Sequence, residues 1–297
     1  MDNQNENVFR QDLHAEAEHI GAVFVIHLLM NEKCDMPSRE RMQEVMSRHI
    51  SGAECYTYDG QIAGFAANKY SVHYEKDNCD VPPQLMITEC SPIEQPILND
   101  SEKNQLWSCK DGAEILEDAS YQVFATDMLA AGLKHKERAE LLVDFVEALM
   151  ELYPSCTAVV FETSKKMFTR EQILYCDFPK ELRFIYYAVN VRFFKIQDTE
   201  DMLVDSVGMS PLFLPDVQYH FCGIDHDEVI NHAYNLLAYI YENNNPFETN
   251  DRIDGIKNGE LSSEVQWTVR YENAIVQPER TILDVNMGAY AAGIRED

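Results

Sequence analysis

Apolar positions along the chain change period several times, and each change predicts an element. Residues 21–30, Gly-Ala-Val-Phe-Val-Ile-His-Leu-Leu-Met, are apolar almost without interruption and predict a buried strand. Met42, Val45, Met46, His49 and Ile50 then recur at helical spacing, with Glu40, Arg41, Glu44 and Arg48 on the other face, as in an amphipathic helix. Asp59-Gly60, behind Tyr56-Thr57-Tyr58, marks a hairpin, since this pair readily takes the positive φ angles of a tight type I′ turn. Strands are expected over 62–74 and 84–90.

Residues 91–118 break the pattern with Pro92, Pro96, Asn99, Asp100, Lys110, Asp111 and Gly112, and a boundary is expected here between an N-terminal half, 1–115, and a C-terminal half, 116–297. Beyond a strand at 121–125, the strongest helical pattern of the chain runs from 134 to 153. Leu141, Leu142, Phe145, Ala148, Leu149 and Leu152 form one stripe, and Pro154 ends it by disfavouring helical geometry at Tyr153. Strands follow at 156–162 and 202–207, the latter broken by Gly208. Between them, 183–196 reads as one long strand in which Ile185, Tyr187, Val189, Val191 and Phe193 share a face.

Asp225 and Glu228 match a capping box, opening a helix whose apolar face is Val229, Ile230, Ala233, Leu237 and Ile240. Strands at 264–271 and 281–285 close the chain. Helices alternating with paired strands predict an α+β fold of mixed or antiparallel sheets with helices packed on one face, and two plait-like, ferredoxin-like halves forming one compact unit.

Composition narrows the function classes. The 297 residues are 45% hydrophobic and 25% charged, which suits a globular chain rather than a disordered one. The formal charge is -27, from 24 basic and 51 acidic residues. Such a field repels phosphate backbones, so nucleic acid is not an expected partner, and a cationic protein is. The eight cysteines include no Cys-x-x-Cys pair and read as free thiols. Residues 1–7 lack the basic and apolar regions of a secretory signal, and the apolar stretch 22–30 is too short to span a bilayer. A cytoplasmic location without membrane attachment is the expectation.

Several constellations fail as chemistry. Aligning Gly255 with the glycine of a calcium loop places Arg252 and Leu261 at ligand positions, so 250–261 reads as a turn bent at Asp254-Gly255. His220, His226 and His232 are spaced by six, which spreads side chains around a helix instead of converging them on a metal. His220 and Cys222 share a strand face, but no third group is marked to orient them, and a core thiol is the simpler reading. No metal, no cofactor and no catalytic residue is expected.

A set of short motifs carries a resemblance: Leu106-Trp107, Val189-Asn190-Val191-Arg192-Phe193-Phe194, Gly208-Met209, Leu214-Pro215-Asp216, Tyr219-His220-Phe221, Trp267, Glu272 and Gln277-Pro278-Glu279-Arg280. Together they resemble a bacterial family described as domain of unknown function 4261, a likeness that implies no reaction. Within these motifs Arg192, Asp216, Tyr219, His220, Trp267, Glu272 and Arg280 stand out as polar or amphipathic residues in apolar surroundings, and they form either the candidate binding surface or, as the preferred reading, a structural salt-bridge network. A mid-strand arginine such as Arg192 needs a carboxylate within reach if buried, with Glu272 or Asp216 expected. Two expectations follow. One is a non-catalytic protein acting through protein contacts, in the manner of inhibitors and immunity proteins. The other is an enzyme or small-anion binder in which Arg192 and Arg280 clamp the ligand beside His220.

Overall fold

The computed structural model describes residues 23–74 and 78–293. Residues 1–7 and 21–22, on which the reading of the N-terminus and the start of the first strand rest, lie outside them. The chain divides into two compact units, covering residues 23–189 and 190–293 of those described.

The first unit contains strands β1 (Val25–Met30), β2 (Ala53–Tyr58), β3 (Ile62–Ala67), β4 (Val72–Tyr74), β5 (Cys79–Val81), β6 (Gln84–Thr88), β7 (Ser91–Pro92), β8 (Tyr121–Met128), β9 (Ala158–Phe161) and β10 (Lys166–Thr169). Its helices are α1 (Arg39–His49), α2 (Asp100–Lys103), α3 (Gly112–Asp118), α4 (His135–Leu152), α5 (Arg170–Leu174) and α6 (Arg183–Ala188). The main sheet has the order β10-β9-β1-β8-β6-β3-β2, with β7 also on β8, while β4 and β5 pair separately. Every neighbouring pair is antiparallel. Counting reversals across the sheet, β1 runs parallel to β2 and β8 parallel to β9. The connections through α1 and α4 are therefore crossovers, and the two helices pack on each other.

β1 lies inside the sheet, between β9 and β8, and is covered on both faces, which is why its sequence does not alternate: Ile26, Leu28, Leu29 and Met30 are all fully buried. In α4, Leu141, Leu142, Phe145, Ala148 and Leu149 are fully buried, each large side chain contributing about 1.5–3 kcal/mol of burial energy. The connector 91–118 belongs to this core and does not separate two halves at 115. Its Leu98, Leu106 and Cys109 pack with Leu29, Ala158, Val160 and Met167, and Ile93, Ile97, Ile115 and Leu116 lie against them. β8, beyond the connector, inserts between β1 and β6 from before it, so a cut at 115 would split the sheet.

Two local readings change. The hairpin at Asp59-Gly60 has a three-residue connection, in which Asp59 Oδ1 accepts from the amides of Gln61 and Ile62, each at 2.8 Å, and only Gly60 of the pair has positive φ. The segment 183–196 is not one strand, since 183–188 are helical. Helical spacing puts Phe184 and Tyr187 together, where Phe184 meets Phe24 and Tyr187 meets Phe161 and Phe168. Lys166 Nζ donates to the carbonyls of Tyr186 at 2.6 Å and Val189 at 2.7 Å, satisfying acceptors that the helix leaves free at its end.

The second unit contains β11 (Asn190–Lys195), β12 (Met202–Val207), β13 (Val217–Phe221), α7 (His226–Asn243), β14 (Arg252–Lys257), β15 (Glu260–Asn273) and β16 (Thr281–Asn286). The sheet order is β11-β12-β13-β16-β15-β14, with β13 and β16 parallel and the other pairs antiparallel. Asp225 caps α7 by accepting from the amide of Asp227 at 2.8 Å, without the reciprocal Glu228 bond of a full capping box. Val229, Ala233, Leu237 and Ile240 are fully buried. Asp254-Gly255 lies inside β14 at a register shift, and the turn falls at Asn258-Gly259, where both φ angles are positive. The architecture is thus α+β, but the two strand orders differ from one another and from a four-stranded ferredoxin-like plait.

Candidate functional site

In the second unit, cross-strand register aligns polar residues that lie far apart in sequence. Arg192 of β11 faces Asp205 of β12, Asp205 faces Gln218 of β13, Gln218 faces Asp284 of β16, and Asp284 faces Arg270 of β15. The five form one row across the sheet. Because strand side chains alternate, His220, two residues from Gln218, and Glu272, two from Arg270, belong to the same face.

Within the row Asp205 is fully buried and holds two arginines. Arg192 binds it through two nitrogens, Nε to Oδ1 at 2.8 Å and Nη2 to Oδ2 at 2.5 Å, while Arg280 Nη2 reaches Oδ2 at 2.8 Å. Most of the remaining donors are also committed. Arg192 Nη1 meets the Gln277 carbonyl at 2.9 Å, Arg280 Nη1 meets Pro278 at 2.7 Å, and Arg280 Nη2 meets Ser206 at 2.6 Å. Arg280 Nε lies 3.6 Å from Asp216 Oδ2. Asp216 accepts from Ser206 Oγ at 2.8 Å, and burial raises its pKa against the pull of Arg280. Two guanidinium groups and two carboxylates therefore neutralise one another and staple the loop 274–280 to β11 and β12.

The row continues through Gln218, whose Nε2 donates to Asp284 Oδ1 at 3.0 Å and whose Oε1 accepts from the amide of Ile275 at 2.8 Å. His220 is fully buried with Nε2 3.2 Å from Asp201 Oδ2, and Glu272 is fully buried. The partner expected for Arg192 was Glu272 or Asp216; register supplies Asp205 instead. Asp205 and Asp284 carried the same signal as Arg192, a charge inside an apolar strand, and could have been found by it.

Tyr219 and Trp267 belong to the other face, against α7. Tyr219 Oη lies 2.9 Å from His232 Nδ1, His232 Nε2 lies 2.8 Å from the Asp254 carbonyl, and the imidazole lies 4.8 Å from the Trp267 ring. A carbonyl only accepts, so Nε2 carries the proton and Nδ1 accepts from the tyrosine. Burial lowers the pKa of His232 and raises that of Tyr219, which keeps both neutral. This chain positions α7 on the sheet. His226 stacks on Phe193 at 4.6 Å, so the three histidines do not converge. Among the described residues no group of His, Cys, Asp and Glu is placed to hold a metal ion, and no helix is long and apolar enough to cross a membrane.

Beside His232 a cleft of about 330 Å³ opens between α7, the β14–β15 hairpin and Phe247. Its walls are apolar at Leu236, Tyr239, Phe247, Ile253 and Leu261, and polar at Asn235, Arg252 and Asp254. None of these was singled out in the sequence as a binding residue, because Leu261 and Arg252 register there only as misfits to a calcium loop.

Residues 205–286 match a family described as "Domain of unknown function (DUF4261)", and this span holds Asp205, the α7 contacts and the whole cleft. No curated protein and no solved structure matches the chain.

Proposed function

We propose that the protein, whose residues 205–286 carry the domain of unknown function 4261, is a non-catalytic cytoplasmic protein that works by binding a cationic protein partner. The observation that carries this reading is the engagement of Asp205 by both Arg192 and Arg280, which ties the two arginines into an ion-pair staple with most of their donors in use. A clamp for a small anion at Arg192, His220 and Arg280 would have to break bonds already made. The charge of -27 supports the partner's sign, since opposite fields accelerate encounter and weaken with salt.

An inhibitor-like or immunity-like role, as in a bacterial cell, is the form of this reading that best suits a stable acidic α+β protein. The test is retention of a partner from a lysate of the source cell on the immobilised full chain. A protein that is held at about 50 mM salt and released by about 500 mM is expected. Recovery of no salt-sensitive partner would overturn the proposal.

A further inference from the structure

Trp107 belongs to neither the core nor the Asp205 staple. Its neighbour Leu106 is buried in the first unit, whereas Trp107 is 54% exposed, with its Nε1 donating to Gln105 Oε1 at 3.0 Å. The loop that carries it is held against α5. Gln172 Nε2 donates to the Ser108 carbonyl at 2.7 Å, and the Cys109 sulfur bonds the backbone of Thr169. Gln172 is itself fixed, because its Oε1 accepts from the Thr169 amide at 2.8 Å in the capping box of α5. Tyr175 stands one turn beyond Gln172 and is 81% exposed, and Leu174 beside it is 40% exposed. Trp107 and Tyr175 thus flank the Gln172–Ser108 bond, one residue from it on one side and one turn on the other.

The ground around the two rings is acidic. Asp111, Glu114, Glu171 and Asp177 are exposed and make no ion pair among the described residues. Of the nearby cations, Lys180 pairs with Asp144 at 2.6 Å and Arg170 Nε donates to the Met150 carbonyl at 2.9 Å, which leaves Lys110, exposed beside Asp111.

Exposed aromatic clusters mark interaction sites, and Trp and Tyr are enriched where binding energy concentrates. The acids and the charge of -27 repel phosphate backbones and anionic lipid, and a second copy would bring the same acids face to face. A cation is drawn both by the carboxylates and by the rings, and a guanidinium more than an ammonium, because it also stacks flat on an aromatic face. We propose that Trp107 and Tyr175, with Glu171 and Asp177, form the surface on which the cationic partner docks, and that it receives an arginine-rich segment. This rests on the partner reading above. Guanidinium groups of the segment stack on the two rings and pair with the two carboxylates.

The test is titration of the full chain with a deca-arginine peptide at about 50 mM salt, with deca-lysine for comparison. Deca-arginine is expected to change the Trp107 emission, a response absent in Trp107→Phe, where the buried Trp267 alone emits. In calorimetry Trp107→Ala and Tyr175→Ala should each weaken its binding about tenfold. Deca-lysine should bind less tightly than deca-arginine and lose less in the same variants. Glu171→Lys with Asp177→Lys should weaken binding more than the same reversal at Glu200 and Glu260, exposed acids of the second unit. Thermal melts check folding, and the highly exposed Tyr175 keeps the test open if Trp107→Ala melts early. Binding as tight in both alanine variants as in the parent, or weakened equally by the two pairs of reversals, overturns this surface and leaves the cationic partner standing. No binding of deca-arginine by the parent overturns the surface as well, whereas the partner reading itself falls only where the lysate yields no salt-sensitive protein.

Discussion

At the scale of single residues, the chain spends its buried charge on structure. Asp205 is fully buried beneath Arg192 and Arg280, and breaking a buried pair leaves uncompensated charge. Asp205→Asn should therefore destabilise the protein by about 3–5 kcal/mol, measured by urea unfolding; a loss below about 1 kcal/mol would show that the staple contributes little. Lys166 presents the opposite case. Burial pulls its pKa down from 10.5 to about 7, although its ammonium caps the end of α6. Between these values the unfolded chain holds a proton that the folded chain has released, so stability rises with pH. The rise should show between pH 7 and about 8, below the range where the unfolded chain's thiols ionise and Cys156, raised by burial like buried tyrosines such as Tyr219, begins to oppose it. Lys166→Met should flatten that rise in urea midpoints taken along pH. Arg192 was legible in the sequence because a charge in an apolar strand demands a partner. Which carboxylate answers depends on register, and register joins residues that no sequence spacing relates.

At the scale of elements, periodicity located the strong helices and the buried strand β1, and turn chemistry located the bend at Asp59-Gly60 but not the one at Asn258-Gly259. The failures share a cause. Arg183 to Ala188 has apolar residues at nearly every position, so it satisfies either period. The aromatic cluster of Phe24, Phe161 and Phe168 selects the helix. Asp254-Gly255 carries the letters of a turn, yet the glycine is there because of its neighbour: a Cβ on Gly255 would stand 2.8 Å from Trp267 Cε2 and from Val265 Cγ1. Gly255→Ala should cost about 1–3 kcal/mol by overpacking and should alter Trp267 fluorescence, read in a Trp107→Phe background. An unchanged melt would mean that the hairpin absorbs the methyl group.

At the scale of the whole molecule, acidity dominates. A charge of -27 spread along the chain repels itself in the folded state, and salt screens that repulsion over roughly 10 Å at 0.1 M. Raising salt from about 10 mM to about 300 mM should raise the melting temperature, even though exposed pairs such as Arg48 with Glu44 are screened as well, because such pairs contribute little. A falling melting temperature would place the balance with the ion pairs. The division at residue 189 is also a whole-molecule property. Residues 91–118 look like a linker by composition, but Leu98, Leu106 and Cys109 are buried in the sheet's core, and apolar residues scattered among prolines leave no periodic trace.

The sequence by itself determined the α+β class, the two long amphipathic helices, the free thiols, the acidic field and the family resemblance of the C-terminal region. These depend on local spacing and on composition, which act within a few residues or over the chain as a sum. Tertiary structure alone decided where the chain divides, that 183–188 coil, that Asp205 unites two arginines 88 residues apart, and that β14 and α7 line one cleft. Each of those outcomes turns on which strands become neighbours, a choice made by long-range burial and hydrogen bonding.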